Sequence, residues 1–249
     1  MEDQYLHQQN TPGEQSSFLY YTALTGGILL LGLIIVPAVL PPVEQSRDAA
    51  RRSTSKNNLK QIGLAIHLYD DRHDLLPAGS IETAAGQPGH SWLTAMLPYL
   101  EQWNLHQQID FNKAWNDPAN QGPFQQLINV YHNPKIQETV SPDGYALSSY
   151  QGNQLVLQPN QGTRISEIRD GVSNTIFAAE AGEDFKAWGD PANLTNPSQM
   201  FATGKSNPYT GGKHVLFGDG RVQFLSELTD PAVLKALSTP AGGEEIGEY

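Results

Sequence analysis

A long uncharged apolar run near the N-terminus constrains this 249-residue chain more than any other feature. Phe18–Leu40 reads FLYYTALTGGILLLGLIIVPAVL and contains no charged side chain. A helix needs roughly 20 such residues to cross the hydrocarbon core of a bilayer. A buried core helix is the other interpretation, but such a helix seldom stays apolar on every face over this length. We therefore predict a transmembrane helix from Phe18 to Leu40, after a polar N-terminal tail over residues 1–17.

The residues after this run have the pattern of a helical stem. Apolar side chains recur at spacings of three and four, as on one face of a helix, at Leu59, Ile62, Ile66 and Tyr69. We predict a stem over residues 41–72 whose later part packs onto a globular head. A membrane helix that continues into a stem carrying a head is the architecture of a pilin.

The head, residues 73–239, changes to short strand-like segments in its second half. Tyr145–Tyr150, Gln154–Gln158 and Thr175–Ala179 are predicted strands, and Asp219–Gly220 is predicted to be the two-residue type I′ turn of a hairpin. A final helix is expected over Asp230–Ser238, with Asp230 as its N-cap, followed by a flexible acidic tail over residues 240–249. The predicted fold class is α+β, a long N-terminal transmembrane helix whose stem packs on an antiparallel β-sheet head.

Five blocks of this sequence match a known pattern in order. Leu40–Asp71 closely resembles the opening of a large planctomycete family of unknown function with a prepilin-type N-terminus, whose pattern is LPAVQSAREAARR followed by NNLKQIGLALHNYHD. The other blocks are Ser91–Leu105, Arg164–Glu180, Gly211–Leu225 and Asp230–Glu244. The resemblance implies a pilin-like fold similar to the pseudopilins of type II secretion systems and type IV pili.

Two departures from the family pattern concern processing and the C-terminus. Leu19–Leu24 reads LYYTAL where the family has a Gly followed by FTLIE-like residues, which argues against cleavage by a prepilin peptidase. The family also carries a His that is followed by nine residues and an Asp-Gly, and Tyr209 stands in its place here. No role of that His is carried over.

Charge bears on the partners and on the location. The net charge of −11 argues against nucleic acid as a partner, and the absence of Cys excludes disulfides and zinc thiolate sites. The bases nearest the apolar run lie on its C-terminal side, which by the positive-inside rule places the head in the cytoplasm, whereas the resemblance implies the reverse. We expect a single-pass protein of the inner (cytoplasmic) membrane with a periplasmic or otherwise extracytoplasmic head.

Candidate ligand residues are few. His67–Asp74 reads HLYDDRHD and groups possible metal ligands, but without a recognised ligand spacing. Asp170 and Asp219, each before a Gly, are weak candidates for Ca²⁺, although Asp-Gly is first a turn signal. We expect no cofactor, with Ca²⁺ left open. Three aromatic residues in polar loops could stack on sugars or equally cap the sheet, namely Trp115, Trp188 and Tyr209.

No catalytic motif is present: the chain contains no G-x-S-x-G elbow, H-E-x-x-H or P-loop. The predicted function is that of a membrane-anchored, pseudopilin-like structural or assembly protein without catalytic activity. Its partners would be membrane lipid and either itself or other pilin-like subunits. The alternative is a monomeric, membrane-tethered extracytoplasmic module that binds a glycan or Ca²⁺. A third hypothesis is an extracytoplasmic hydrolase, but no residue of the sequence indicates one.

Overall fold

The computed structural model describes residues 12–244 and 247. The chain divides between Ala50 and Arg51 into two units. Helix α1 spans Pro12–His73, so its residues up to Ala50 belong to the first unit and those from Arg51 on to the second. The predicted tails lie partly outside the described residues, at 1–11 and at 245, 246, 248 and 249.

The predicted transmembrane helix is wrong. Among the described residues, none of the helices combines the length and the apolar character that crossing a membrane requires. Phe18 and Leu40, the predicted ends of the span, lie within α1, but their side chains are outside the described set. Within that span the described side chains form the run Tyr20–Leu31, which as a helix would extend about 18 Å against a hydrocarbon core of about 30 Å.

The second unit is α+β. Besides α1, the described residues form the short helices α2 Trp92–Met96, α3 Trp103–His106, α4 Gln121–Phe124, α5 Pro197–Met200 and α6 Pro231–Ser238. Their strands are β1 Ser80–Glu82, β2 Pro88–Ser91, β3 Leu147–Ser148, β4 Tyr150–Asn153, β5 Ile176–Glu180, β6 Lys186–Ala187, β7 Leu194–Thr195, β8 Gly212–Phe217 and β9 Val222–Ser226. Helical turns of the 3-10 type lie at Leu97–Leu100, Pro118–Asn120, Asn129–Tyr131, Ile165–Glu167 and Val172–Asn174.

Five of these strands form one sheet in the order β7-β4-β5-β8-β9. The β4–β5, β5–β8 and β8–β9 pairs are antiparallel, as predicted. The β4–β7 pair is parallel, with Gly152 opposite Leu194, so the sheet is mixed and the prediction of a purely antiparallel sheet is corrected. The β1–β2 and β3–β6 pairs form two small antiparallel ribbons.

The sheet separates two hydrophobic cores because side chains alternate along its strands. On β8, Leu216 belongs to one core, while Val215 and Phe217 belong to the other. The Leu216 core contains the predicted stem face of α1, with Leu59, Ile62 and Ile66 fully buried. The opposite core contains side chains of α5 and α6, including Met200, Leu234 and Leu237.

Helix α1 comes close to the sheet at Gly63. A Cβ atom on Gly63 would lie only 2.8 Å from Cδ1 of Leu216 on β8. The missing side chain therefore lets this part of α1 lie directly over the central strands. About two turns earlier on α1, Ser55 contacts Glu180 at the end of β5.

Candidate functional site

A buried carboxylate lies between α1 and the sheet. Glu180, the last residue of β5, is fully buried and accepts hydrogen bonds from Ser55 Oγ, from Asn133 Nδ2 at 3.2 Å and from Tyr209 OH at 3.3 Å. Its other oxygen lies 2.6 Å from the backbone N of His214 and 3.1 Å from His214 Nδ1. We call Glu180 and these four partners the Glu180 network.

The Glu180 network connects α1 to the sheet, and a second buried phenol, that of Tyr150, adjoins it. Ser55 Oγ lies 2.8 Å from the hydroxyl of Tyr150, whose pKa is raised by burial. Burial also raises the pKa of Tyr209 to about 12, so that both hydroxyls are protonated near neutral pH. The guanidinium of Arg52 stacks on the Tyr209 ring, 4.6 Å from its centroid. Because Ser55 is on α1 and Glu180 on β5, this polar cluster fastens α1 to the sheet.

A second feature lies on the opposite face of the sheet. Lys213 on β8 is 1% exposed, and its Nζ donates to the backbone carbonyls of Met200 at 2.9 Å and Ser206 at 3.4 Å. Burial lowers the pKa of Lys213 to about 8. Lys213 lines an open cavity of about 450 Å³ whose wall also contains Glu183 and Asp184. We call it the Lys213 cavity.

A third feature is a cleft of about 280 Å³ rich in aromatic rings, which we call the Trp103 cleft. Trp103 on α3 is 54% exposed, and its ring stacks on that of His106 with 5.6 Å between centroids and 12° between planes. His73 Nε2 and the Tyr99 hydroxyl, 3.0 Å apart, line the same cleft together with Arg72. The cleft therefore combines an exposed aromatic surface with several hydrogen-bonding groups.

The Ca²⁺ candidates have backbone partners. The Asp170 carboxylate accepts hydrogen bonds from the backbone N of Gly242 at 2.7 Å and of Gly243 at 2.9 Å. Asp219 Oδ1 accepts from the backbone N of Arg221 at 2.9 Å. Within the described residues, no group of three or more His, Cys, Asp or Glu side chains is placed to hold a metal ion.

Asp219 and Gly220 lie in the connection between β8 and β9. Phe217 and Arg221 pair at its base, where the Phe217 N donates to the Arg221 carbonyl at 2.9 Å. Gly220 has φ of +82°, whereas Asp219 is not among the residues with positive φ. A type I′ turn needs positive φ at both central residues, so this connection is a longer turn with a left-handed glycine near its end.

The three aromatic residues named from the sequence as possible sugar contacts are buried or half-buried. Trp188 is fully buried and donates its Nε1–H to the Gln126 carbonyl at 3.1 Å, and Tyr209 is 6% exposed. Trp115 is half-buried and packs edge-on against Tyr145 at 4.8 Å. They cap the interior, whereas the ring of Trp103 is exposed.

Sequence reasoning missed Glu180 and Lys213 as notable residues, although both carried a signal. Each is a charged residue in a mostly apolar strand, in IFAAE and GKHVLF respectively. Charged side chains are rarely fully buried unless they are paired, so a charge at such a position marks either a buried network or a site. The sequence alone does not distinguish the two.

The comparisons with known proteins agree with the resemblance at the level of a family. The family described as "Protein of unknown function (DUF1559)" matches residues 44–207. No curated protein and no solved structure matches the chain. The match begins within α1 and includes Ser55, Asn133 and Glu180 of the Glu180 network. The chain therefore belongs to the DUF1559 family of proteins of unknown function.

Proposed function

We propose that this protein is a non-catalytic structural or assembly subunit that works by association through α1. The observation that carries the proposal is the exposure of large apolar side chains between Tyr20 and Leu31, which ranges from 48% to 74%. Such a surface is stable in water only when another apolar surface covers it. The resemblance to planctomycete proteins with a pilin-like N-terminus supports the same role.

The occupant that we propose for this surface is a like helix of a second subunit. Gly26 and Gly27 have no neighbouring atom within 4 Å of an added Cβ, so a partner backbone could approach them closely. The exposed rings of Tyr20 and Tyr21 and the neighbouring leucines would supply the packing area. Association of this kind requires no reacting group, which agrees with the absence of a catalytic motif. Membrane lipid stays a predicted partner of the same residues.

Site-directed crosslinking tests the assembly proposal, because the chain has no Cys of its own. We expect Ile28→Cys, purified in mild detergent and oxidised, to form a disulfide-linked dimer. Leu228→Cys is the matched control, since Leu228 is an exposed apolar residue at 88% but lies in the second unit. Gly26→Ile should reduce the Ile28→Cys dimer several-fold. Equal yields for the two cysteine variants, or vesicle binding without any dimer, would overturn the proposal.

A second function, saccharide binding, is favoured by the Trp103 cleft. An exposed indole offers a flat apolar face, and His73, Tyr99 and Arg72 supply hydrogen-bonding groups beside it. The aromatic face and these hydrogen-bonding groups suit a neutral, hydroxylated ligand. If the protein is a binding module, a saccharide is a better supported ligand than Ca²⁺, because the Asp170 carboxylate already accepts backbone hydrogen bonds.

Titration with neutral saccharides tests this second function. We expect a mono- or disaccharide to quench the tryptophan fluorescence, and Trp103→Ala to weaken binding at least tenfold. Trp103→Ala should leave stability nearly unchanged, within about 1 kcal/mol, since more than half of the side chain is exposed. Leu127→Ala, at an exposed position outside the cleft, is the control. Undiminished binding by Trp103→Ala would exclude the cleft as the site.

A further inference from the structure

We propose that the Lys213 cavity is a binding site for a small hydroxylated carboxylate, and that the Lys213 ammonium receives the carboxylate group. The site lies in the second unit, on the sheet face opposite the Glu180 network, and it is independent of association through α1. The ligand class would be that of a sugar acid or a hydroxy acid.

The Lys213 side chain is buried and forms no ion pair with a carboxylate in the described residues, although the charges of Glu180 and Glu183 act on it from a longer distance. Its Nζ has two backbone carbonyls as acceptors, from Met200 and Ser206, and lies 5.2 Å from the centre of the Phe201 ring. Among residues 12–244 and 247, no ion pair is found for it. A lysine ammonium has three hydrogens to donate, and a buried charge is costly unless it is paired. A ligand anion in the cavity would supply both the third acceptor and the counter-charge.

The charges in the wall favour an anion. Lys205 is engaged by two acids, with its Nζ 2.7 Å from Glu183 Oε1 and 3.0 Å from Asp184 Oδ2. The hydrogen bond from Lys205 lowers the pKa of Glu183 to about 2, so this acid is ionised and paired. Lys186 also lines the cavity, and neither Lys186 nor Lys213 forms an ion pair with a carboxylate in the described structure.

The other residues that line the cavity indicate the chemistry of the rest of the ligand. The amide of Gln199 and the hydroxyl of Thr195 line the cavity and can bond hydroxyl groups. A volume of about 450 Å³ is in the range of small-molecule sites and holds a six-carbon acid with room for water. No aromatic residue is among the lining residues, so a polar, hydroxylated skeleton fits better than an aryl acid.

Isothermal titration of the full chain with gluconate tests the proposal, with glucose as the uncharged analogue and acetate as the carboxylate without hydroxyls. In the Trp103→Ala variant, which removes the Trp103 cleft as a second saccharide site, we expect gluconate to bind measurably, acetate to bind more weakly, and glucose not to bind. Lys213→Met, which keeps the length of the side chain but removes the charge, should weaken gluconate binding at least tenfold. Lys113→Met, at an exposed position outside the cavity, should bind as the unmodified chain does.

A pH profile of the unmodified chain gives a readout that does not depend on any variant folding. Since burial lowers the pKa of Lys213 to about 8, the free site is cationic below that pH and loses its charge above it. Gluconate affinity should be flat between pH 6 and 7.5 and fall by up to about tenfold per pH unit above pH 8. Equal binding of glucose and gluconate by Trp103→Ala, unchanged gluconate binding by Lys213→Met, a flat profile to pH 10, or no binding at 10 mM gluconate would each refute the proposal.

Discussion

At the scale of single residues, the Glu180 network is the arrangement that is least tolerant of change. The groups that contact the Glu180 carboxylate include the Asn133 amide, the Tyr209 hydroxyl and the His214 backbone N–H, and all of these donate. A carboxylate accepts on both oxygens, whereas a glutamine would turn an NH₂ group toward one set of donors. The carboxyl group is therefore matched to its surroundings in a way that an isosteric amide is not.

From this we expect Glu180→Gln to lower the free energy of unfolding by about 3 kcal/mol, since it leaves buried donors without an acceptor. Urea denaturation followed by tryptophan fluorescence measures the change. Glu138→Gln, at an exposed acid, is the matched control and should stay within about 0.5 kcal/mol. A loss below 1 kcal/mol for Glu180→Gln would mean that the network relaxes around the amide and does not fasten α1 to the sheet.

At the scale of elements, the sequence predicts those parts whose structure is set by local pattern. The buried α1 face at Leu59, Ile62 and Ile66 was predicted from spacing alone and is confirmed. Helix α6 was likewise predicted, and the Asp230 carboxylate accepts from the backbone N of Ala232 at 2.7 Å as its N-cap. In both cases a few neighbouring residues determine the outcome.

Other elements depend on contacts that are distant in sequence, and there the predictions were wrong. Gln154–Gln158 was predicted as a strand but begins with a turn. Asn153 closes this turn through a hydrogen bond from the Leu155 N, while its amide donates to the carbonyls of Ile176 and Ser238. The last two partners cannot be read from the local sequence.

The position of Trp103 shows the same limit. Trp92, Tyr99 and Trp103 recur at spacings that suit one face of a helix, but Glu101 has φ of +60°, so the chain leaves helical geometry before α3 begins. This break changes the direction in which Trp103 points and leaves it exposed. The Trp103 cleft could therefore not be predicted from the sequence, because the spacing of these residues is typical of a buried face.

At the scale of the whole molecule, the candidate sites are formed by residues far apart in the chain. Ser55 and Glu180 are 125 positions apart, and their contact could not be inferred from either segment alone. The sequence indicates unusual charges in apolar strands, whereas the fold decides that Glu180 faces α1 and Lys213 faces α5. The sequence alone could thus reveal that strands carry charged residues at Glu180 and Lys213. Only the structure shows on which face of the sheet each one lies.

The second unit holds both hydrophobic cores, which leads to a prediction about the chain as a whole. We expect residues 51–249 to unfold cooperatively in urea with the midpoint of the full chain, because the α1 segment from Arg51 on supplies the core residues Leu59, Ile62 and Ile66. A fragment 74–249 lacks these side chains, each of which contributes about 1.5–3 kcal/mol by burial, against a total stability of about 5–15 kcal/mol. It should show no cooperative transition.

Since all four tryptophans lie beyond residue 73, fluorescence reports on both fragments alike. A lower midpoint for residues 51–249 would instead mean that the head depends on the residues before Arg51, and a folded 74–249 fragment would mean that the stem is only an attachment to an independently stable sheet.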